Sequence, residues 1–420
     1  MDSLFAKLVP AQVQMLSMIA AHARDGGDAA YLVGGAVRDW LLGALTIDDL
    51  DFSVDGDSVE FARSLQRMHG GELLVHEKFR TARWIWQGAS VDIAMSRAEE
   101  YPRPAALPIV RPAPIEVDLR RRDFAVNAIA LRLTDERLID PFDGRRDLEQ
   151  RLLRSLHEHS FVDDPTRLLR GARYAARLGF TFDEPTLAAI RRGVPHLRAL
   201  SGERIKYDFE LIFQDRAPAA ALLQLRELGA FGALGVPTPE RLDKLFDRAR
   251  EALLAGAFDV GALDLSPARV LCAVGWGALT YAQGQLAVTR WLELVAYEHD
   301  LREALVGIGA LSTLNRALFE AQPSRLSAML REFGGLALLI GWLFDGSAAK
   351  QAAMLREWNE WRYVRPSIGG DDLRARGVPP GPQYKRILDA LRDARLDGTA
   401  LDEGDELRLL EQLLGEQDNA

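Results

Sequence analysis

The sequence predicts an α+β protein in two parts: a mixed sheet-and-helix head over residues 1–140, then an all-helical remainder. Three observations predict it. Before Pro141, short apolar runs of strand length alternate with stretches of helical periodicity. Beyond Pro141 the strand signals almost vanish, and apolar residues recur three and four apart to the C-terminus. Hydrophobic residues make up 48% and charged residues 27% of the 420, ordinary globular usage, which excludes collagenous, low-complexity and wholly disordered classes. A chain of that length predicts roughly two to four domains.

In chain order, Tyr31 to Val33, Asp51 to Val54, Arg83 to Trp86, Val91 to Met95 and Ala128 to Leu133 read as strands. Val37 to Leu42 and Ser58 to Met68 read as helices between them. Pro102, Pro104, Pro108, Pro112 and Pro114 crowd one connection, which predicts a stiff surface loop without a regular element, because proline cannot donate to a ladder. Leu148 to Leu156, Pro165 to Leu178, Pro185 to Arg192 and Ile205 to Phe213 read as helices. Gly369-Gly370 and Gly377 to Pro382 mark a break before a last helical unit from Tyr384. No internal repeat is visible.

A net charge of −9 argues against a protein that coats nucleic acid indiscriminately, while leaving room for a local basic track. Of 52 basic residues only six are Lys, a bias that suits bidentate phosphate contact and equally suits a GC-rich genome. The single cysteine, Cys272, lies in the apolar run Val270 to Val274 and reads as a buried, inert thiol. Met1 to Lys7 lacks the features of a secretory leader, and the longest apolar run, Phe333 to Phe344, is too short to span a bilayer. The expected location is the cytoplasm, with no membrane and no DNA as partner.

Tyr31 to Asp39 reads YLVGGAVRD, an apolar strand, two glycines and a helix start. Glycines at such a turn let a phosphate approach the backbone, and the following helix offers free N–H groups, although plain turn geometry accounts for the same residues. In Ile47 to Val54, Asp49 and Asp51 stand two apart at the start of a strand, which predicts two carboxylates on one face. Such a pair repels itself and is costly without a cation, so a divalent metal site competes with a solvated acidic turn. Asp92 joins them if the strands Asp51 to Val54 and Val91 to Met95 pair, and three acids on a sheet suit two Mg²⁺ ions and in-line phosphoryl transfer. Arg120, Arg121 and Arg122 precede an apolar segment and read as a charged helix start or as a cradle for an anion. Arg167, Arg170 and Arg173 share one side of a helix opened by Asp164 and Pro165, and a solvated charged stripe explains them on their own.

Taken together, Gly34-Gly35-Ala36-Val37-Arg38-Asp39, Asp49-Leu50-Asp51, Arg121-Arg122-Asp123-Phe124, Asp140-Pro141-Phe142-Asp143-Gly144, Asp164-Pro165-Thr166-Arg167 and Gly202-Glu203-Arg204 carry a likeness. In order and spacing the series resembles the class II tRNA nucleotidyltransferases, the CCA-adding enzymes and bacterial poly(A) polymerases of the polymerase β superfamily. The motifs cover about residues 28 to 213, and Ile368 to Leu373 resembles the family's tail more loosely. The resemblance implies a polymerase-β-like head at 1–140, a helical neck at 141–215 that selects the base, a body at 216–365 and a tRNA-binding tail at 366–420. It implies Asp49 and Asp51 as catalytic, Mg²⁺-binding residues, with Asp92 in the third acidic position. Gly34, Gly35, Arg38 and Arg122 fall where the family binds nucleotide phosphates, and Asp123 and Asn127 belong to the same nucleotide-binding motif. Asp164 and Arg167 match the pair that reads the incoming base, with Arg170 and Arg173 beside them. Ala125 stands where Thr is usual, Asp163 where Glu is usual, and Asp48 where a basic residue often precedes the acidic pair.

The implied reaction is attack of an RNA 3′-hydroxyl on the α-phosphate of CTP or ATP, with release of pyrophosphate. C and A both present an exocyclic amino donor beside a ring-nitrogen acceptor, which a carboxylate and a guanidinium match. U and G present the opposite polarity and leave buried groups unpaired, at roughly 1 to 3 kcal/mol per group. Full CCA addition, A-only, CC-only and poly(A) addition all fit these motifs. A non-catalytic RNA-binding relative is the competing class, and the intact acidic pair argues against it. Glu298-His299-Asp300 prompts a metal phosphohydrolase reading, but no second histidine lies at ligand spacing, so a surface His-Asp pair is expected.

Overall fold

The computed structural model describes residues 2–77 and 80–415, and every statement below concerns these. Met1 of the expected head and residues 416–420 of the expected tail lie outside them. The chain forms two units, Met1–Asp208 with Asp215–Leu234, and Phe209–Gln214 with Gly235–Ala420. The first unit therefore takes in residues 215–234, which the sequence reading gives to the body, as well as most of the expected head and neck.

The first unit opens with helices α1 (Asp2–Phe5) and α2 (Pro10–Gly26), then β1 (Ala29–Val33), α3 (Gly35–Leu41), β2 (Asp51–Asp55) and α4 (Ser58–His69). Strands β3 (Glu72–His76), β4 (Thr81–Trp86), β5 (Ala89–Met95), β6 (Arg97–Glu100) and β7 (Ile109–Pro112) follow, then α5 (Ile115–Arg120), β8 (Ala130–Arg132) and β9 (Leu138–Ile139). Seven strands form one sheet in the order β3-β4-β5-β2-β1-β8-β9. Only β2 and β5 are parallel; every other neighbouring pair is antiparallel. Helices α2 and α4 pack on the sheet. Met15, Leu16, Ile19, Ala20 and Ala23 recur at helical spacing on α2 and are all buried. Each large one contributes about 1.5–3 kcal/mol by leaving water. Tyr31 and Val33 of β1 pack instead with Ile115 and Leu119 of α5 and with Ala128 and Ala130.

The helices α6 (Gly144–Gln150), α7 (Ser160–Asp163), α8 (Thr166–Leu178), α9 (Glu184–Gly193) and α10 (Gly202–Phe213) continue the chain. Gly171 lets α8 come close to Phe124: a Cβ there would stand 2.7 Å from the ring. Leu168, Leu169, Ala172 and Ala175 bury the apolar face of α8.

Several expectations are corrected. The proline-rich connection holds a regular element: β7 pairs with β6, Arg97 opposite Pro112 and Glu100 opposite Ile109. A two-stranded ribbon has outer edges that need no N–H donor, so proline at the strand end is tolerated. Strand β3 is absent from the sequence reading: its apolar run, Leu73 to Val75, is only three residues long, and its residues alternate between exposed and half-buried. Leu148 to Leu156 is not one helix, since Arg151 turns left-handed (φ 55°) and Leu152–Leu153 then pair in parallel with Thr181–Phe182. Arg120 ends α5 rather than starting a helix, and Arg121 is its C-cap, where cations complement the helix dipole. The strand expected from Ala128 starts at Ala130, after a 3₁₀ turn over Ala125–Asn127.

The second unit is helical. Its aromatic core brings Trp276 within 5.1 to 5.8 Å of Phe209, Phe213 and Trp291, and Gly275 gives Phe213 room that a side chain would fill. A separate cluster of Ile368, Leu373, Val378, Ile387, Leu391 and Leu410 closes the C-terminal helices Pro382–Leu396 and Glu403–Gly415. Cys272 is buried as expected, with its Sγ accepting from Gln214 at 3.3 Å. His299 lies 3.4 Å from Glu303, whereas Asp300 pairs with Arg269, so the expected His-Asp pair is not formed. No single described helix is long and apolar enough to cross a membrane; the pair Pro323–Leu330 and Gly335–Phe344 is bent by 115°.

Candidate active site

Two clusters of functional side chains lie in the first unit. One is on the sheet. Directly opposed residues share a face, and the register sets Val33 of β1 against Asp51, Asp51 against Asp92 and Asp92 against Arg83. The expected pairing of Asp51 with Asp92 is thus formed. Gly34, next to Val33, has φ 70°, a conformation glycine adopts without penalty, and a Cβ there would come 3.0 Å from Arg122 Nη1 and 4.0 Å from Asp51 Oδ2. The glycine turn, Arg122 and Asp51 therefore meet.

Asp51 is exposed, with enough neighbouring protein to remove part of the hydration of its carboxylate. Loss of hydration and the neighbouring Asp92 charge raise its pKa, with Asp49 adding to the repulsion and Arg122 opposing it. Asp49 precedes the strand, so strand alternation does not set its orientation as expected from sequence, and it is exposed. Asp92 is held by Arg83 through two parallel bonds, Nε to Oδ1 at 2.9 Å and Nη2 to Oδ2 at 2.6 Å. Among the described residues no group of three or more His, Cys, Asp or Glu stands ready for a metal ion. Three free acids on the sheet are therefore not what the structure presents, because the strand beside Asp92 contributes a guanidinium. Sequence reasoning missed Arg83 as a partner of Asp92; its place at the start of the expected strand Arg83 to Trp86 was its only signal.

The second cluster surrounds α8. Arg38 is 3% exposed: its Nε and Nη2 donate to Asp39 at 2.8 and 2.9 Å, and its Nη1 to Asn127 at 2.7 Å. Asn127 donates to Asp123 Oδ1 at 2.9 Å, and Arg170 Nε donates to Asp123 Oδ2 at 2.9 Å. Burial disfavours the Asp123 charge, but Arg170 and Asn127 outweigh it and hold the pKa at about 2. Tyr174 draws the guanidinium groups of Arg38, Arg170 and Arg173 to 5.2, 5.8 and 5.1 Å from its ring centre. A buried chain of contacts thus links α3 to α8.

At the start of α8, Asp164 Oδ1 accepts from the Thr166 hydroxyl at 2.7 Å and from Arg204 Nη2 at 2.6 Å. Arg167 is 5% exposed and donates to Ser160 Oγ at 2.7 Å and to the Arg121 carbonyl at 2.6 Å. The solvated-stripe reading of Arg167, Arg170 and Arg173 is overturned for Arg167 by this burial, and Arg170 is engaged with Asp123. Arg121 and Arg122 bond the fully buried Asp118 at 2.7 and 3.0 Å, so the arginine run is balanced from within the protein. Despite its burial, these two cations lower the Asp118 pKa. Ser160, Tyr174 and Asp118 carried no signal in the sequence.

A sheet with an acidic pair beside a glycine turn, followed by a helix preceded by Asp164 and bearing Arg167, is the arrangement expected from sequence for a nucleotidyltransferase head. Comparison with known proteins agrees. Residues 30–154 match the family described as "Poly A polymerase head domain", and residues 179–236 match "Probable RNA and SrmB- binding site of polymerase A". An A-adding tRNA nucleotidyltransferase of Geobacter sulfurreducens is 34% identical over 91% of this chain and 45% of its own length. A CC-adding tRNA nucleotidyltransferase of Deinococcus radiodurans is 35% identical over 63% of this chain and 71% of its own length. The solved structure of a CCA-adding enzyme in an apo form superposes with a TM-score of 0.79 at 26% identity, covering 99% of this chain and 98% of that one. The chain belongs to the tRNA nucleotidyltransferase and poly(A) polymerase family. It spans about half or less of the length of the A-adding relatives it matches, 45%, 54% and 20% of three of them.

Proposed function

We propose that this chain is a template-independent tRNA nucleotidyltransferase of the cytoplasm that adds C, A or both to the 3′ end of tRNA, with CTP and ATP as substrates. One observation carries the reading: within one unit, Asp51 and Asp92 lie in register beside the Gly34 turn, while Asp164 and Arg167 are each fixed by hydrogen bonds at the start of α8. Bond-forming and base-reading groups thus belong to one folded body. The division into head, neck, body and tail is part of the same proposal.

In the proposed reaction the RNA 3′-oxygen bonds to the α-phosphorus of the triphosphate as the bond to the β-phosphate breaks, and pyrophosphate leaves. Gly34 and Gly35 keep the turn clear of side chains, so that phosphate oxygens can approach the backbone, with Arg122 beside them. Arg38 acts by bracing the turn and α3 through Asp39 and Asn127. Asp164 accepts from the amino group common to C and A, and Arg167 donates to the adjacent ring nitrogen. Mg²⁺ as resident cofactor belongs to this proposal. The donor set fits a hard cation: Asp49 and Asp51 offer carboxylate oxygens, and the raised Asp51 pKa marks a site short of positive charge. When bound there, Mg²⁺ would acidify the attacking hydroxyl and neutralise phosphate charge.

The test is an incorporation assay with Mg²⁺ and tRNA transcripts ending before CCA, after C and after CC, given CTP, ATP or both. Three nucleotides added to the first transcript only when both triphosphates are present would establish full CCA addition. A narrower reading, A addition onto a CC end, is favoured by the A-adding relative that aligns with 91% of the chain. It predicts incorporation on the third transcript alone. Long A tails on unrelated RNA would make the chain a poly(A) polymerase, and no incorporation at all would overturn the enzymatic reading.

A further inference from the structure

We infer that Ser160 and Thr166 are positioning residues that confine the base-reading pair to one acceptor and one donor. The inference rests on the assignment of Asp164 and Arg167 as that pair. A guanidinium carries five N–H donors, four of them on the two terminal nitrogens. In Arg167 those nitrogens face four acceptors: Ser160 Oγ at 2.7 Å, the Arg121 carbonyl at 2.6 Å, the Tyr101 hydroxyl at 3.4 Å and His157 Nε2 at 3.5 Å. The two short contacts set the plane of the group, and the two long ones fill its remaining directions. Only the Nε–H has no acceptor among the described residues.

Asp164 is restricted in the same manner. Its Oδ1 takes the Thr166 backbone N–H at 3.1 Å, the Thr166 hydroxyl at 2.7 Å and Arg204 Nη2 at 2.6 Å, while Oδ2 has no partner among the described residues. An ionised carboxylate and a free guanidinium could each turn to satisfy several base edges. Held as here, they offer one acceptor and one donor, the complement of the edge shared by C and A. U or G would set acceptor against acceptor, with no rotation of either group to relieve it.

Ser160 is fully buried and lies on α7, a single helical turn before α8, so its hydroxyl cannot swing away to solvent. His157 Nε2 closes the arrangement 3.5 Å from Arg167 Nη1, and burial and the Arg167 charge lower the His157 pKa against the opposing Asp163 charge.

The experiment compares kcat/KM for the nucleotide the enzyme incorporates with those for UTP and GTP, in the full chain and in Ser160→Cys, Ser160→Ala, Thr166→Val, Arg167→Ala and Ser160→Ala/Arg167→Ala. Thermal melts check that each variant is folded. Cys replaces the Ser160 hydroxyl by a larger, weakly accepting sulfur, and Val keeps the shape of Thr166 without its hydroxyl. Both should lower discrimination roughly tenfold, with a smaller loss of kcat for the correct nucleotide. In the Arg167→Ala background, Ser160→Ala should change discrimination no further. Wild-type discrimination in Ser160→Cys and Thr166→Val, alongside its collapse in Arg167→Ala, overturns the inference. An equal loss of kcat/KM for the correct nucleotide, UTP and GTP in Ser160→Ala assigns the effect to packing and overturns it as well. Unchanged discrimination in Arg167→Ala would instead overturn the base-reading assignment on which the inference rests.

Discussion

The acidic face of the sheet and the charged cluster around α8 lie in one unit but hold their charges in opposite ways. On the sheet, Asp51 faces Asp92 and Asp49, and its pKa is raised by burial and by those like charges. Around α8, Asp123 is more deeply buried and yet strongly acidic, because Arg170 and Asn127 are aimed at it. Asp51 has no cation hydrogen-bonded to it among the described residues, as the proposed cation site requires, whereas Asp123 is fully paired, as a rigid scaffold requires. On the proposed roles, charge that serves catalysis and charge that serves the fold differ in the state of their partners, not in burial alone.

The sharpest break of this contrast is at Asp51. Asp51→Ala should cut kcat by about a thousandfold or more, several kcal/mol of lost transition-state stabilisation, while leaving the melting temperature unchanged or raised. A lowered melting temperature with surviving activity would reverse the assignment. Next in size is Asp123→Ala, which leaves the Arg170 charge and Asn127 without their buried partner. It should cost about 3–5 kcal/mol in urea denaturation, an effect Asp51→Ala must not share.

Asp208 sharpens the comparison from within the paired region. This 6% exposed residue of α10 is raised to about 7 by burial, with the Asp164 charge adding to the rise and Arg170, Arg173 and Arg204 opposing it. Its folded pKa lies above its unfolded value of about 3.9. The stability linked to its proton is therefore complete below pH 4, falls as pH rises toward 7 and is gone above. Asp208→Asn should then stabilise the protein by about 2–3 kcal/mol at pH 8 and hardly at all at pH 4. Equal differences in melting temperature at the two pH values would remove this role. The smallest effect is expected at Arg83, whose pair with Asp92 is about half exposed on both sides. Arg83→Ala should change stability by less than about 1 kcal/mol, while lowering the Mg²⁺ concentration needed for half-maximal activity by freeing the Asp92 carboxylate.

The two clusters also differ in how far they could be read from sequence. The sheet face was legible because its geometry is local: strand runs and a glycine turn are short-range patterns, and pairing of two expected strands sufficed to bring Asp92 beside Asp51. Even there the partner of Asp92 was hidden, since Arg83 reaches it only through the register of β4 on β5. Around α8 the helix and its three arginines were legible, but their environment was not. An Arg-x-x-Arg-x-x-Arg stripe looks the same whether water or Ser160, Arg121 and Asp123 lie against it.

By itself, then, the sequence determined the α+β division, the types of most elements, the order of the motifs and the residue types that carry chemistry. These follow from hydrophobic period, turn residues and side-chain functional groups, all set within a few positions along the chain. The tertiary structure alone decided the β6–β7 ribbon in the proline-rich connection, the burial of Arg38 and Arg167, and the capture of Asp92 by Arg83. It also decided which donors and acceptors of Arg167 and Asp164 are left without a partner among the described residues. Those depend on packing between segments tens of residues apart, where register and close approach, as at Gly171 against Phe124, choose each partner.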